Sequence, residues 1–255
     1  MEKTIQETLS RIEQENNIKI LYAVESGSRA WGFASADSDY DVRYIYMHPM
    51  EEYLRIDSLP DTLEGPLDAV MDFSGWDLRK TLELLRRSNP SLLEWIHSPV
   101  CYRTSPEWES AARIFRHYYD PVTLMHHYLS MAQQHLIKVR AGEDVKLKHY
   151  LYALRPILCC RWLETRGTMP PVPFARLQQE TLPAELAETV EEILKIKTTS
   201  DEILRIPRNP RLDAFLESEL VRLREAARKL PKAPTPGCGN LNAMFRCMLR
   251  MGSNR

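Results

Sequence analysis

Through the first hundred positions apolar residues gather in short runs, and beyond position 120 they recur at helical spacing. Residues 2 to 16 alternate charged and apolar side chains three and four apart, which predicts an amphipathic helix. Ile18 to Val24 (IKILYAV) is a short apolar run between polar and glycine signals and predicts a buried strand. Arg29 to Gly32 suits one helical turn, and DVRYIYM (41 to 47) reads as a second strand ended by His48 and Pro49. In LDAVMDFSG (67 to 75), Asp68, Val70, Asp72 and Ser74 fall on one side, with Ala69, Met71 and Phe73 on the other. That alternation predicts a third strand with one apolar face. Asp77 is placed to cap a helix running to about Arg87, and Asn89-Pro90 opens a shorter one containing Leu92, Leu93 and Trp95.

From Pro121 onward the strand signal disappears. Helical patterns cover 121 to 140, 146 to 165, 183 to 197 and 210 to 229, punctuated by Gly142, PPVP at 170 to 173 and PRNP at 207 to 210. A loop, PKAPTPGCG (231 to 239), precedes a last helix from about Leu241 to Arg250 that either docks or dangles. The expected organisation is α+β over 1–118, an all-helical bundle over 119–230, and a linker with a terminal helix over 231–255.

Composition narrows the field of partners. Lys and Arg total 34 against 35 Asp and Glu, so the whole-molecule field favours neither nucleic acid nor membrane, and any such partner requires a local patch. No apolar run approaches the roughly 20 residues that cross a bilayer, and the start reads as a helix rather than a signal peptide, so a cytoplasmic location and no membrane partner are expected. Five cysteines, an odd number without a C-x-x-C pair, argue against a zinc knuckle or a disulfide framework. His126, His127 and His135 lack the compact spacing of a zinc set and read as core or surface histidines.

The chemistry concentrates in GSRAWGFASADSDYDVRY (27 to 44). Asp39 and Asp41 stand two apart at the start of a strand, so their carboxylates project to one face. Like charges held that close repel, and a hard divalent cation with oxygen ligands relieves the repulsion, which makes magnesium the natural occupant. Magnesium is usually shared with substrate phosphates, and Gly27-Ser28 at the end of the preceding strand offers a close backbone approach and a hydroxyl donor to a triphosphate. Two such ions about 4 Å apart would activate an attacking hydroxyl and stabilise a pyrophosphate leaving group. A third carboxylate is needed for the catalytic metal. Asp72 is preferred to Asp68 because it lies deeper in its strand, and Asp77 is better explained as a cap.

The pattern of Gly-Ser, ten residues, D-x-D and a later strand aspartate resembles the DNA polymerase beta-like nucleotidyltransferase superfamily. More narrowly, DFSGWDLRKTLELLRRSNPSLLEWIHSP (72 to 99) after GSRAWGFASADSDYD resembles a bacterial and phage nucleotidyltransferase family, some of whose members are encoded beside RNA ligases. The likeness covers the first hundred residues well and the helical half loosely. It implies a small mixed β-sheet flanked by helices, with Gly27 and Ser28 gripping the triphosphate. Asp39, Asp41 and Asp72 would be both metal ligands and catalytic residues.

Other residues carry two readings. Arg43 falls on the Asp41 face and is expected to pair with a carboxylate, while Arg29 and Trp31 suit either a ligand or plain packing. In KLKHYLYALRPILCCRWLE, Lys148, Tyr152 and Arg155 share one helical stripe, which is either a solvated face or a source of cations for the phosphates. Arg205, Arg208 and Arg211 suit either an RNA backbone or a solvated loop. The leading expectation is a magnesium-dependent enzyme, with manganese able to substitute. It moves a nucleoside monophosphate from a nucleoside triphosphate to a hydroxyl acceptor, with an RNA end favoured on the family's neighbourhood and nothing pointing to DNA. The competing expectations are a nucleotide-binding regulatory or antitoxin-like protein without turnover, and an RNA-binding helical module with a vestigial catalytic half.

Overall fold

A computed structural model describes residues 1–65, 70–115, 118–201, 203–230 and 237–253. Two compact units emerge: one comprises Met1–Ala30, Asp39–Tyr119 and Pro234–Arg255, the other Trp31–Ser38 and Asp120–Ala233. Among the described residues no helix is long and apolar enough to cross a membrane.

The first unit contains α1 (Glu2–Asn16), β1 (Lys19–Glu25), all but the last residue of α2 (Gly27–Trp31), β2 (Tyr40–Met47), β3 (Thr62–Glu64), β4 (Met71–Asp77), α3 (Leu78–Arg86), α4 (Pro90–Ile96), β5 (Cys101–Thr104) and α5 (Pro106–Phe115). The strands form one mixed sheet in the order β3-β4-β2-β1-β5. Its central pair, β2 and β4, is parallel, and the other pairings are antiparallel. Ile5, Leu9 and Ile12 of α1 pack on one face, against Ile20, Ala23, Val42, Tyr44, Tyr46 and Phe73. Because side chains alternate along a strand, Asp41, Arg43, Asp72 and Ser74 are left on the opposite face. The caps on α3 and α4 are as the sequence predicts, with Asp77 accepting from the Arg79 N–H and Asn89 from that of Leu92.

Two edge strands, β3 and β5, had no sequence signal. TLE and CYRT are too short for alternation to register, and their pairing partners define them. The third expected strand begins at Met71, and Asp68 lies outside the described residues.

The buried Tyr44 and Tyr46 hydroxyls donate to the carbonyls of Leu63 and Pro60 at 3.0 and 3.1 Å, so neither is left unsatisfied. Across the ladder Tyr44 lies against Gly75, and a Cβ at that glycine would overlap its ring. Gly75→Ala is therefore expected to destabilise the first unit by about 1–3 kcal/mol through overpacking. An unchanged melting temperature would show that the ladder yields there.

The second unit contains α6 (Pro121–Arg140), β6 (Asp144–Lys146), α7 (Leu147–Arg166), α8 (Phe174–Thr181), α9 (Ala187–Thr199), β7 (Arg205–Pro207) and α10 (Pro210–Lys229). β6 and β7 pair as an antiparallel ribbon, with Lys146 opposite Arg205, which corrects the expectation of an all-helical bundle. Three-residue strands are set by their tertiary partner and leave no period to read. Tyr150 ties α7 to the start of α10, donating to Asp213 at 2.7 Å and accepting the Asn209 N–H at 2.8 Å. Cys159 and Cys160 are fully buried, as their apolar run predicts. Residues Trp31–Ser38 join this unit through Phe33 edge-on to Phe174 and through Lys197 donating to Ser35 at 2.8 Å. The terminal helix α11 (Gly239–Ser253) belongs to the first unit, where Leu241, Met248 and Leu249 are buried and Phe245 packs on Tyr53.

Burial, with the nearby Lys138 charge and His149, pushes His135 down to about 4, and burial likewise lowers His149. Between about pH 6.5 and 4 the unfolded chain thus binds a proton at His135 that the folded chain refuses. Stability from this residue is present above pH 6.5 and lost on acidification through that window. In thermal melts from pH 7 to pH 5, His135→Gln should lose less stability than the wild type; parallel curves would remove His135 as a contributor.

Candidate active site

The parallel pairing of β2 and β4 places Asp41 directly opposite Asp72, and Arg43 opposite Ser74. The Asp41 and Asp72 carboxylates are 31% and 39% exposed, on the face away from α1. Arg43, only 16% exposed, bridges them: its Nη2 is 2.8 Å from Asp41 Oδ1 and 2.7 Å from Asp72 Oδ2, and its Nη1 donates to the Asp72 carbonyl at 3.1 Å. Two carboxylates on adjacent strands repel, and the guanidinium offsets that repulsion.

The approach to this pair is built by the β1–α2 junction. Gly27 has φ +60°, a left-handed conformation that favours glycine, and a Cβ there would run into the Asp41 carboxylate. The glycine backbone thus lies directly against Asp41. Ser28 follows, buried, in the first turn of α2. Asp39 is exposed, and its backbone carbonyl accepts from Arg29 Nε at 3.1 Å. The Arg29 guanidinium also covers the Tyr40 ring at 3.8 Å.

Sequence reasoning missed a second layer behind the site. Glu25, the last residue of β1, is buried, and its Oε1 accepts the Asp41 N–H at 2.8 Å while Oε2 accepts the Tyr102 hydroxyl. The Ser26 N–H donates to the Asp41 carbonyl at 2.9 Å, so both backbone groups of Asp41 are held by the end of β1 and the residue after it. Burial raises the Glu25 carboxyl above the usual carboxylate range, against the lowering effect of its hydrogen bonds from Tyr102 and Asp41. The available signal was a glutamate ending an otherwise apolar strand immediately before Gly-Ser; Tyr102 carried none, because β5 was not legible.

Lys148, Tyr152 and Arg155 lie in the second unit and do not form one exposed stripe. Arg155 is 2% exposed, with its guanidinium 4.6 Å from the Trp31 ring centre and donating to the Val172 carbonyl at 3.3 Å. Tyr152 is half-buried, edge-on to Trp31 and His135 at 5.3 Å each, and Lys148 is half-buried in the first turn of α7. Arg205, Arg208 and Arg211 are all exposed, and Arg208 is tied to Asp213.

The donor set at Asp41 and Asp72 fits a magnesium ion in charge and in oxygen chemistry, and the pair already holds one cation in the form of Arg43. Among the described residues, however, no three His, Cys, Asp or Glu side chains are grouped so as to hold a metal ion; Asp39 is exposed.

With this geometry in view, comparison with known proteins is decisive at the level of family. The RNA repair pathway DNA polymerase beta family, RlaP, matches residues 1–247. The chain belongs to this family. YcgL of Bacillus subtilis (strain 168), described as uncharacterised, is 41% identical over 247 residues, covering 96% of this chain and 95% of that protein. A crystal structure of a nucleotidyltransferase-like protein from Exiguobacterium sibiricum 255-15 aligns over 97% of this chain and 92% of its own, at 11% identity and a TM-score of 0.36. The RlaP match covers the Gly27-Ser28 and Asp39, Asp41 and Asp72 region and reaches well into the helical half.

If Arg43 and a divalent ion compete for the same two carboxylates, Arg43→Gln lowers the magnesium concentration needed for half-maximal thermal stabilisation and weakens the metal-free fold. Identical magnesium titrations for wild type and Arg43→Gln would end that competition model.

Proposed function

We propose that this RlaP-family chain is a magnesium-dependent nucleotidyltransferase, moving a nucleoside monophosphate from a nucleoside triphosphate to a hydroxyl acceptor with release of pyrophosphate. An RNA end is the favoured acceptor. The observation that carries the reading is Asp41 opposite Asp72 on adjacent parallel strands, with Gly27 pressed against Asp41. The family's connection with an RNA repair pathway supports the acceptor.

Magnesium held by Asp41 and Asp72, with Asp39 on the lead-in to the same strand, would neutralise triphosphate charge and make the acceptor hydroxyl more acidic. Gly27 allows the triphosphate to approach the backbone without a side chain in the way, and Ser28 offers a hydroxyl beside it. Asp72 accepts the proton of the attacking hydroxyl as its oxygen bonds to the α-phosphorus. The bond from that phosphorus to the β-bridging oxygen breaks, and pyrophosphate departs with the electron pair. Glu25 and Ser26 keep Asp41 in register by holding its backbone, and Arg43 keeps the two carboxylates together before cation and substrate arrive.

The test is label transfer from each of the four α-labelled nucleoside triphosphates to total RNA in magnesium, with Asp41→Asn and Asp72→Asn proteins alongside. Wild type should label RNA, with pyrophosphate released in equal amount, and each variant should lose about a hundredfold or more of the rate. Nucleotide binding without pyrophosphate release from any mixture would leave the regulatory reading in place of the enzyme.

A further inference from the structure

Most arginines of the second unit with acidic neighbours are paired: Arg140 with Glu217, Arg161 with Glu219, Arg166 with Glu180, Arg208 with Asp213 and Arg222 with Glu164. Another set of cations gathers near the start of α7. Lys138 in the last turn of α6, Lys146 on the ribbon and Lys148 in the first turn of α7 converge with Arg205, which faces Lys146 across β6–β7. The charges of all four reach His149. Among the described residues neither Lys138 nor Lys146 makes an ion pair, and Arg205 donates to a backbone carbonyl, that of Asp144. The Asp144 side chain itself is exposed.

Beside this group the rings of His135 and His149 lie 6.0 Å apart, each with a buried Nδ1 that has no hydrogen-bond partner among the described residues. Tyr152 closes the other side of His135 edge-on. The α7 N-terminus adds to the positive field: it has no acidic residue in its first turn and no side-chain cap, since a lysine, Lys146, stands at the capping position. Uncompensated like charges repel and destabilise a compact unit, so converging cations beside neutral imidazoles mark a place prepared for an anion. A solvated face needs no such convergence.

We propose that Lys138, Lys146 and Arg205, grouped around His135 and His149, form a site for the sugar-phosphate backbone of an RNA strand. The site lies wholly within the second unit. It deepens the proposed function and rests on it for the choice of RNA, because phosphate oxyanions are the shared chemistry of a polynucleotide and of a free triphosphate. The strand is favoured because the three cations come from separate elements, one from a helix end and one from each strand of the ribbon, rather than from a single loop that could wrap one compact headgroup.

The experiment is binding of a short single-stranded RNA to the full chain by fluorescence anisotropy across a salt series, without nucleotide, with tripolyphosphate binding measured separately. The proteins are wild type, a Lys138→Gln/Lys146→Gln double variant that keeps the Arg205 bond, and a triple variant adding Arg205→Gln, each with its melting temperature. The triple variant should bind RNA at least about tenfold more weakly, and its slope of log affinity on log salt should shrink by about 2, three contacts at about 0.7 each. The double variant should lose proportionately less, with tripolyphosphate binding unchanged in both. RNA affinity and salt slope equal to wild type in folded variants would overturn the site. Loss of tripolyphosphate binding with RNA binding intact would overturn its assignment to a strand. Asp41→Asn protein run in the same assay separates the two proposals, because RNA binding there is independent of transfer.

Discussion

Everything at the candidate active site depends on the register of one parallel strand pair. Adjacent parallel strands bring Asp41 and Asp72 face to face, and two carboxylates so placed require a positive charge between them. Arg43 meets that requirement from within the same strand, two residues beyond Asp41. A one-residue slip of β4 would send Asp72 to the face covered by α1, where its charge would be buried among tyrosines and aliphatic side chains. The hydrophobic packing of Tyr44, Tyr46 and Phe73 thus enforces the position of the polar groups on the other side.

Rigidity behind the pair has a separate origin. Glu25 is a buried acid whose lone pairs are taken by the Asp41 N–H and the Tyr102 hydroxyl, so it joins β2, β1 and β5 at the end of the sheet that carries the aspartates. A buried acid in this role is tolerated because it is hydrogen-bonded at both oxygens. Gly27 then lets the chain turn tightly over Asp41. Support and access are therefore built from consecutive residues of one strand and its exit.

The second unit follows a different electrostatic logic. Its helix surfaces carry acid–base pairs that contribute little stability individually. Against that background, among the described residues neither Lys138 nor Lys146 beside His135 and His149 makes an ion pair, and the ribbon that helps to create this group is too short to have been read from the sequence.

The sequence by itself determined the family, the amphipathic first helix, the strands that carry the aspartates and the caps at Asp77 and Asn89. Each rests on a local pattern: alternation, apolar runs, side chains that bond their own backbone, or a motif of fixed spacing. Tertiary structure alone decided what those residues face. The edge strands, the β6–β7 ribbon, the docking of α11, the burial of Arg155 beneath Trp31, the support from Glu25 and the bridge made by Arg43 all join residues far apart in sequence or choose among faces that periodicity leaves equivalent. Local propensity places a side chain on a face, and only packing and charge between distant segments settle which partner that face meets.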